Sequence, residues 1–136
     1  MIRVCLDSNV LVAAFGARGL CTDVLAQVLN EQHLVVPDAV REETLRILTD
    51  KFKLSSKALA AVVAVLDRCE AAAASGEQSP ISVRDADDER ILADAVAAGV
   101  QIMVTGDKDL LDVAEQSPIP VLSPRAFLML TRGGAL

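Results

Sequence analysis

The stretch Ile-Arg-Val-Cys-Leu-Asp-Ser-Asn, residues 2–9, decides the fold, because an apolar run typical of a buried strand ends there on a carboxylate, Asp7. A second stretch of the same kind, Ile-Met-Val-Thr-Gly-Asp, occupies residues 102–107 and ends on Asp107. If the two strands are parallel neighbours, their carboxyl ends share the sheet edge where ligand crevices of open α/β sheets lie. Carboxylates that converge there repel each other unless a cation lies between them. The two stretches therefore predict an α/β fold with a divalent metal site.

The composition of the chain predicts a single domain over residues 1–136 in which helical stretches and short β-branched runs alternate. No apolar run approaches the roughly 18 residues of a membrane span. The first strand begins at residue 2, which leaves no room for a signal peptide, so we expect a soluble, cytoplasmic protein with no membrane partner. The three cysteines form no CxxC pair and are expected to be reduced, buried thiols. His33 is expected to pack at the entry of a strand.

The apolar periodicity predicts the order of strands and helices along the chain. Strands are expected at 2–6, 34–36, 81–83, 101–104 and 119–122. Helices are expected at 10–15, from Cys21 or Thr22 to about residue 29, at 38–48, at 56–74, from Asp85 or Asp87 to Gly99, at 108–115 and from Pro124. Residues 132–136 have the composition of a frayed tail.

Four acids are candidates for the metal site. Asp7, Asp88 and Asp107 each follow a predicted strand, and Glu43 falls on the inner side of its helix while Glu42 falls on the outer side. Each also has an ordinary explanation, since Asp7 and Asp107 are placed to cap helices, Asp88 suits a first helical turn, and Glu43 suits a solvated surface. Their convergence on one sheet edge favours an octahedral Mg²⁺ or Mn²⁺ site.

The reactive groups narrow the chemistry that such a site would perform. The sequence offers no Ser/His/Asp set, no reactive Cys/His pair and no Walker loop, so metal-assisted hydrolysis of a phosphodiester is the best match. The formal net charge of −6 includes the four candidate acids, which a metal would neutralise locally. With no Trp or Tyr and three Phe, contacts to a nucleic-acid backbone are favoured over base stacking. Arg84 and Lys108 are the candidates to hold the phosphate.

Four motifs carry a family resemblance along nearly the whole chain. They are Leu-Asp-Ser-Asn-Val-Leu-Val at 6–12, Arg-Glu-Glu-Thr-Leu-Arg-Ile-Leu at 41–48, Arg-Asp-Ala-Asp-Asp-Glu-Arg-Ile-Leu at 84–92 and Val-Thr-Gly-Asp-Lys-Asp-Leu-Leu at 104–111. In this order they resemble the PIN domain family, and most closely its bacterial toxin nucleases related to VapC toxins. The resemblance implies a three-layer α/β/α sandwich with a central parallel sheet, and Mg²⁺- or Mn²⁺-dependent endoribonuclease activity.

The resemblance also assigns roles to individual residues. The catalytic, metal-binding acids fall on Asp7, Glu43, Asp88 and Asp107, with Asp85 and Asp87 as rivals for the third place. Asn9, Thr105 and Asp109 fall on positions that support the site, Asp109 as an outer acid. The partners implied are an RNA substrate, a cognate antitoxin protein and a second copy of the chain in a homodimer.

Two function classes follow from these observations. The leading hypothesis is a metal-dependent ribonuclease that is the toxin of a toxin–antitoxin pair. The alternative is a PIN-like binding or regulatory module that has kept the fold and acts without turnover. A phospho-acceptor enzyme fits poorly, since Asn9 stands where a dehalogenase-type enzyme would carry a second Asp.

Overall fold

A computed structural model of the chain describes residues 1–134. The strands are β1 (Arg3–Leu6), β2 (His33–Pro37), β3 (Glu70–Ala72), β4 (Ile102–Val104) and β5 (Val121–Leu122). The helices are α1 (Ser8–Gly16), α2 (Leu20–Glu31), α3 (Asp38–Asp50), α4 (Ser56–Asp67), α5 (Ala86–Ala97), α6 (Lys108–Asp112) and α7 (Pro124–Arg132), with a short 3₁₀ turn at Ala114–Gln116.

The five strands of residues 1–134 form one parallel sheet in the order β3-β2-β1-β4-β5. Seven helices flank it, which confirms the predicted α/β/α sandwich with a central parallel sheet. β1 lies in the middle, with β2 on one side and β4 on the other. The strand order reverses at β1, so the carboxyl ends of β1 and β4 form the kind of switch-point crevice in which ligands of such sheets bind.

β1 is apolar from Val4 to Leu6 because helices cover both of its faces, and Arg3 stands at its amino end. Val4 and Cys5 are fully buried, and Leu6 is nearly so. The register pairs Leu6 with Val104, so the two central strands end side by side. This register brings the residues after β1 and β4 to the same place at the sheet edge.

The helix predicted at 56–74 is wrong in its second half. α4 ends at Asp67, and residues 70–72 form the edge strand β3 instead, paired with the end of β2. Glu70 supplies the reason, because it accepts two hydrogen bonds from the Arg3 guanidinium, at 2.9 and 2.6 Å, and lies 2.9 Å from His33 Nε2. These contacts tie β3 to the amino ends of β1 and β2, which the alanine-rich sequence does not reveal.

Two other predicted elements also differ from the structure. Residues 81–83 form no strand, although Val83 is buried in the core as part of a loop. The helix predicted at 108–115 stops at Asp112 and gives way to the 3₁₀ turn. α7 includes Arg132, the first residue of the predicted tail, and residues 135–136 of that tail lie outside the described residues.

The single histidine and the cysteines depart in part from expectation. His33 begins β2, but it contacts Glu70 rather than packing as an apolar residue, because its ring nitrogen faces the carboxylate. All three cysteines are free thiols; Cys5 is buried, while Cys21 and Cys69 are half-buried.

None of the helices in residues 1–134 is by itself long and apolar enough to cross a membrane, although α1 and α2, bent by 104° at their junction, would meet those criteria together.

Candidate metal centre

Asp7 is the most buried acid at the sheet edge, with 1% of its surface exposed. It caps α1, and its Oδ1 accepts a hydrogen bond of 2.8 Å from the backbone N–H of Ser8. Its Oδ2 accepts a hydrogen bond of 2.8 Å from the Thr105 hydroxyl and one of 3.2 Å from Asn9 Nδ2. Asp7 is therefore a helix cap and also a carboxylate that the polar residues Asn9 and Thr105 hold in place.

The turns after β1 and β4 are joined to each other by side-chain hydrogen bonds. Asn9 Oδ1 accepts a hydrogen bond of 2.8 Å from the N–H of Gly106, and Thr105 Oγ1 accepts one of 2.9 Å from the N–H of Asp107. A Cβ at Gly106 would lie only 3.2 Å from Asn9 Oδ1, so the glycine allows this close approach. The network fixes Asp7 and Asp107 relative to each other.

Three carboxylates gather beside this network, and we call them the acidic trio: Asp88, Asp107 and Asp109. One oxygen from each lies within 4.8 Å of the others. Asp107 caps α6 by accepting a hydrogen bond of 2.8 Å from the N–H of Asp109, which folds the two side chains toward one point. Oxygens at this spacing suit a divalent cation such as Mg²⁺ or Mn²⁺.

Asp88 is the buried member of the acidic trio. Only 7% of its surface is exposed, and its buried Oδ2 accepts no hydrogen bond from the described residues. A buried carboxylate oxygen without a partner is costly, and a cation or a proton removes that cost. The donor set and this unpartnered oxygen together fit a bound divalent metal ion.

The pKa values of the two buried acids, Asp88 and Asp7, are both raised. Burial raises the pKa of Asp88 to about 8, and the charges of Asp7 and Asp107 act in the same direction. Burial also raises the pKa of Asp7, while the hydrogen bonds from Thr105 and Ser8 oppose that shift. In the absence of a cation, the centre therefore favours a proton on Asp88 near neutral pH.

The structure distinguishes Asp88 from its two rivals. Asp85 caps α5, with its Oδ1 accepting hydrogen bonds from the N–H groups of Asp87 at 2.8 Å and Asp88 at 3.3 Å. Asp87 points to solvent, where it forms an ion pair of 2.9 Å with Arg90. Only Asp88 of the three turns toward Asp107, so the geometry favours it as the third acid.

Glu43, like Asp7, is outside the trio. It is half-buried on α3, and its charge contributes to raising the pKa of Asp7, whereas Glu42 is exposed. Both glutamates line a cleft of about 260 Å³ between α3 and α5, together with Asp87 and Arg90. Within residues 1–134, Glu43 is not among the carboxylates whose oxygens lie within 4.8 Å of one another.

Asp109 has a more central position than sequence reasoning assigned to it. The resemblance placed it in an outer role, but its carboxylate is part of the acidic trio. The signal that the sequence carried was the Asp-x-Asp spacing at 107–109, which is also ordinary in a first helical turn. The backbone N–H of Ser8, which contacts Asp7, gave no sequence signal because it is a main-chain group.

Comparison with known proteins places this geometry in context. A family model described as PIN domain matches residues 3–109. A chain of the VapBC2 complex from Rickettsia felis, whose crystal structure contains a DNA fragment from their promoter, superposes with a TM-score of 0.63 and 15% identity, covering 90% of this chain and 98% of that one.

A second solved structure has a similar backbone. Mycobacterium tuberculosis VapC20, a toxin that cleaves the sarcin–ricin loop, matches with a TM-score of 0.59 and 12% identity, covering 81% of this chain and 94% of that one. At these identities the two structures show a shared fold and nothing more. A search of the curated proteins found no match.

Proposed function

We propose that this chain, which belongs to the PIN domain family, is a divalent-metal-dependent endoribonuclease and the toxin of a toxin–antitoxin pair. The observation that carries the proposal is the buried, unpartnered Oδ2 of Asp88 in a trio of carboxylates at the switch point of the sheet. Asp94 also has a buried, unpartnered Oδ2, but its Oδ1 accepts two hydrogen bonds from Ser75 and it lies outside the trio. At Asp88 the unpartnered oxygen coincides with a cluster of carboxylates, which a bound cation would stabilise.

The residues of the chain have separable tasks in this proposal. Asp88, Asp107 and Asp109 hold Mg²⁺ or Mn²⁺, and Asp7, held by Thr105 and its own helix, adds a fixed carboxylate beside them. When bound, the ion supplies Lewis-acid activation of water and offsets the charge that develops on the phosphoryl group.

Glu43 completes the proposed set from across the centre, on α3. Its charge acts on Asp7, so its carboxylate is within electrostatic reach of the site. Glu43 would therefore add negative charge that favours a divalent cation at the centre.

The proposed biological role rests on the shared fold. The Rickettsia felis structure contains VapBC2 with promoter DNA, and the Mycobacterium tuberculosis protein cleaves the sarcin–ricin loop. By analogy, we propose RNA as the substrate, a cognate antitoxin as the protein partner, a homodimer as the assembly and the cytoplasm as the location.

A cleavage assay on a mixed pool of RNAs, with Mg²⁺, Mn²⁺ or EDTA, tests the activity. We expect cleavage with either ion, none with EDTA, and none with Asp7→Asn or Asp107→Asn, whose circular dichroism spectra should match the unaltered protein. Asp50→Asn, an equivalent change at the exposed end of α3, should cleave normally. Full activity in Asp7→Asn would contradict the assignment.

The same assay distinguishes the alternative function, a PIN-like binding module without turnover. RNA binding with no cleavage under any metal condition would favour that module. Asp7 and the acidic trio favour turnover, because buried acids with raised pKa values at a ligand crevice are typical of catalytic sites.

A further inference from the structure

One cation faces the acidic trio within residues 1–134, and it belongs to Arg84. Its Nη1 lies 4.0 Å from Asp109 Oδ1, at the outer limit of an ion pair. The other ion pairs in this part of the chain lie elsewhere, including the one between Arg90 and Asp87 at 2.9 Å. Lys108, although adjacent to Asp107, forms no ion pair within residues 1–134.

The backbone of Arg84 is held on both sides, while its side chain is loose. Val83 is buried in the hydrophobic core, and Asp85 is fixed as the cap of α5 by its hydrogen bonds to Asp87 and Asp88. The Arg84 side chain is 87% exposed. Arg84 is thus anchored beside the trio with a guanidinium that remains accessible to another anion.

The charge of the centre makes a nearby cation useful for a phosphodiester. Asp7 and the acidic trio carry four carboxylates, and one divalent ion neutralises only half of that charge when all are ionised. The remaining negative charge repels the RNA backbone unless another group offsets it. A guanidinium offers donors in a fork that matches two phosphate oxygens.

We propose that Arg84 exchanges its long contact with Asp109 for a backbone phosphate of the RNA, and so positions the scissile bond over the metal centre. This inference rests on the proposed ribonuclease function. It selects Arg84 over Lys108 for the phosphate, because within residues 1–134 only Arg84 forms an ion pair with a member of the trio. Arg90 is less suited, since Asp87 already holds its guanidinium in a short ion pair.

The test compares Arg84→Gln and Arg84→Lys with Arg18→Gln, the same charge change in the exposed loop after α1. Cleavage of a mixed pool of short single-stranded RNAs is measured with Mn²⁺ over a range of KCl concentrations. For Arg84→Gln we expect KM to rise about tenfold or more, with a smaller change in kcat, because a charge-assisted contact to substrate is lost. Arg84→Lys should recover part of the loss.

Salt dependence provides a readout that a merely structural role would not change. Each phosphate contact to single-stranded RNA contributes about 0.7 to the slope of log affinity against log salt. Arg84→Gln should lower the slope by about that amount, and Arg18→Gln should leave it unchanged. Mn²⁺ titration without RNA should show the same affinity as that of the unaltered protein, because the exposed Arg84 guanidinium makes only a long contact of 4.0 Å with Asp109.

The possible outcomes separate this inference from the function on which it rests. If the unaltered protein cleaves and Arg84→Gln retains its KM and salt slope, Arg84 does not hold the phosphate and the ribonuclease proposal stands. Faster cleavage by Arg84→Gln at limiting Mn²⁺ would also overturn the inference, by assigning Arg84 as a counterion of the acids. If the protein binds RNA without cleaving it, the ribonuclease proposal fails. Fluorescence anisotropy then measures the salt dependence of RNA binding by Arg84→Gln, and an unchanged slope would overturn the phosphate contact. A protein that neither binds nor cleaves RNA would overturn both.

Discussion

The two ends of the sheet treat the same chemical group in opposite ways. At the amino end, Glu70 contacts Arg3 and His33, and its pKa falls to about 2, chiefly through the hydrogen bonds from Arg3 and then through the one with His33. At the carboxyl end, Asp88 forms no ion pair within residues 1–134, and burial, followed by the charges of Asp7 and Asp107, raises its pKa to about 8. A carboxylate that has hydrogen-bond donors beside it can link neighbouring strands. A buried carboxylate without such donors is more typical of a site that binds a proton or a cation.

Replacing Asp88 should have the largest effect, because it removes the buried carboxylate that distinguishes the carboxyl end of the sheet from the amino end. Asp88→Asn should reduce Mn²⁺ affinity and RNA cleavage by more than about a hundredfold, beyond the range typical of residues that only support metal ligands. Isothermal titration with Mn²⁺ and the cleavage assay measure the two losses. Asp87→Asn, the adjacent and solvent-facing acid, is the matched control and should behave as the unaltered protein. Equal losses in both variants would remove the special position of Asp88.

The pH dependence of stability should differ in sign at the two ends. Asp88 has a folded pKa of about 8 against an ordinary value of 3.8, so the folded chain holds a proton that the unfolded chain has lost. Without metal, the free energy of unfolding should therefore fall as pH rises from about 4 to about 8, by at most about 1.4 kcal/mol per pH unit.

Glu70 should give the free energy of unfolding the opposite pH dependence. Its folded pKa of about 2 lies below the ordinary 4.5, so its stabilising contribution is present above about pH 4.5 and disappears as pH falls toward 2. Urea unfolding at a series of pH values, with EDTA and again with Mn²⁺, measures both effects. Mn²⁺ should abolish the loss at high pH and leave the loss at low pH unchanged. A high-pH loss that persists in Asp88→Asn would belong to another group.

Thr105 tests whether the network at the carboxyl end positions the acids. Thr105→Val keeps the shape but removes the hydroxyl that donates to Asp7 and accepts from the N–H of Asp107. We expect cleavage to fall by about ten- to a hundredfold, as for other residues that orient metal ligands. Thr49→Val, an exposed threonine that bonds only to its own helix, is the control. Unchanged cleavage in Thr105→Val would leave the network a purely structural role.

Glu70→Gln should have the smallest effect. It removes the charge that Arg3 and His33 share, but the cluster is partly exposed, so we expect a loss of about 1 kcal/mol or less in the free energy of unfolding. Urea unfolding measures the loss, with Glu31→Gln at the exposed end of α2 as the control. RNA cleavage should be unchanged, and a loss of activity would show that the two ends are coupled.

The sequence predicted the central part of the fold and failed at its edge. β1 and β4 are apolar runs that end on a carboxylate, so their type and their neighbourhood could both be inferred. β3 could not, because Glu70-Ala71-Ala72 carries no strand pattern and depends on partners at Arg3 and His33, far away in the chain. The strand predicted at 81–83 failed for the opposite reason, since Val83 is an apolar residue that is buried in a loop.

The candidate site shows the same division. Asp7 and Asp107 could be predicted because each lies within three residues of the end of an apolar strand. The place of Asp109 in the trio depends on how the Asp107 cap turns the chain, which spacing alone does not determine. The unpartnered oxygen of Asp88 was also invisible in the sequence, because burial of a single atom follows from packing.

The candidate metal centre is assembled from distant parts of the chain, which has a consequence while the ribosome makes the protein. Asp7 emerges from the ribosome early, but β1 is a central strand whose neighbour β4 is made about a hundred residues later. A nascent chain that stops before Asp107 lacks two of the three carboxylates of the trio. An incomplete chain that ends before Asp109 therefore lacks the acidic trio, so we expect the proposed activity to require synthesis at least through that residue.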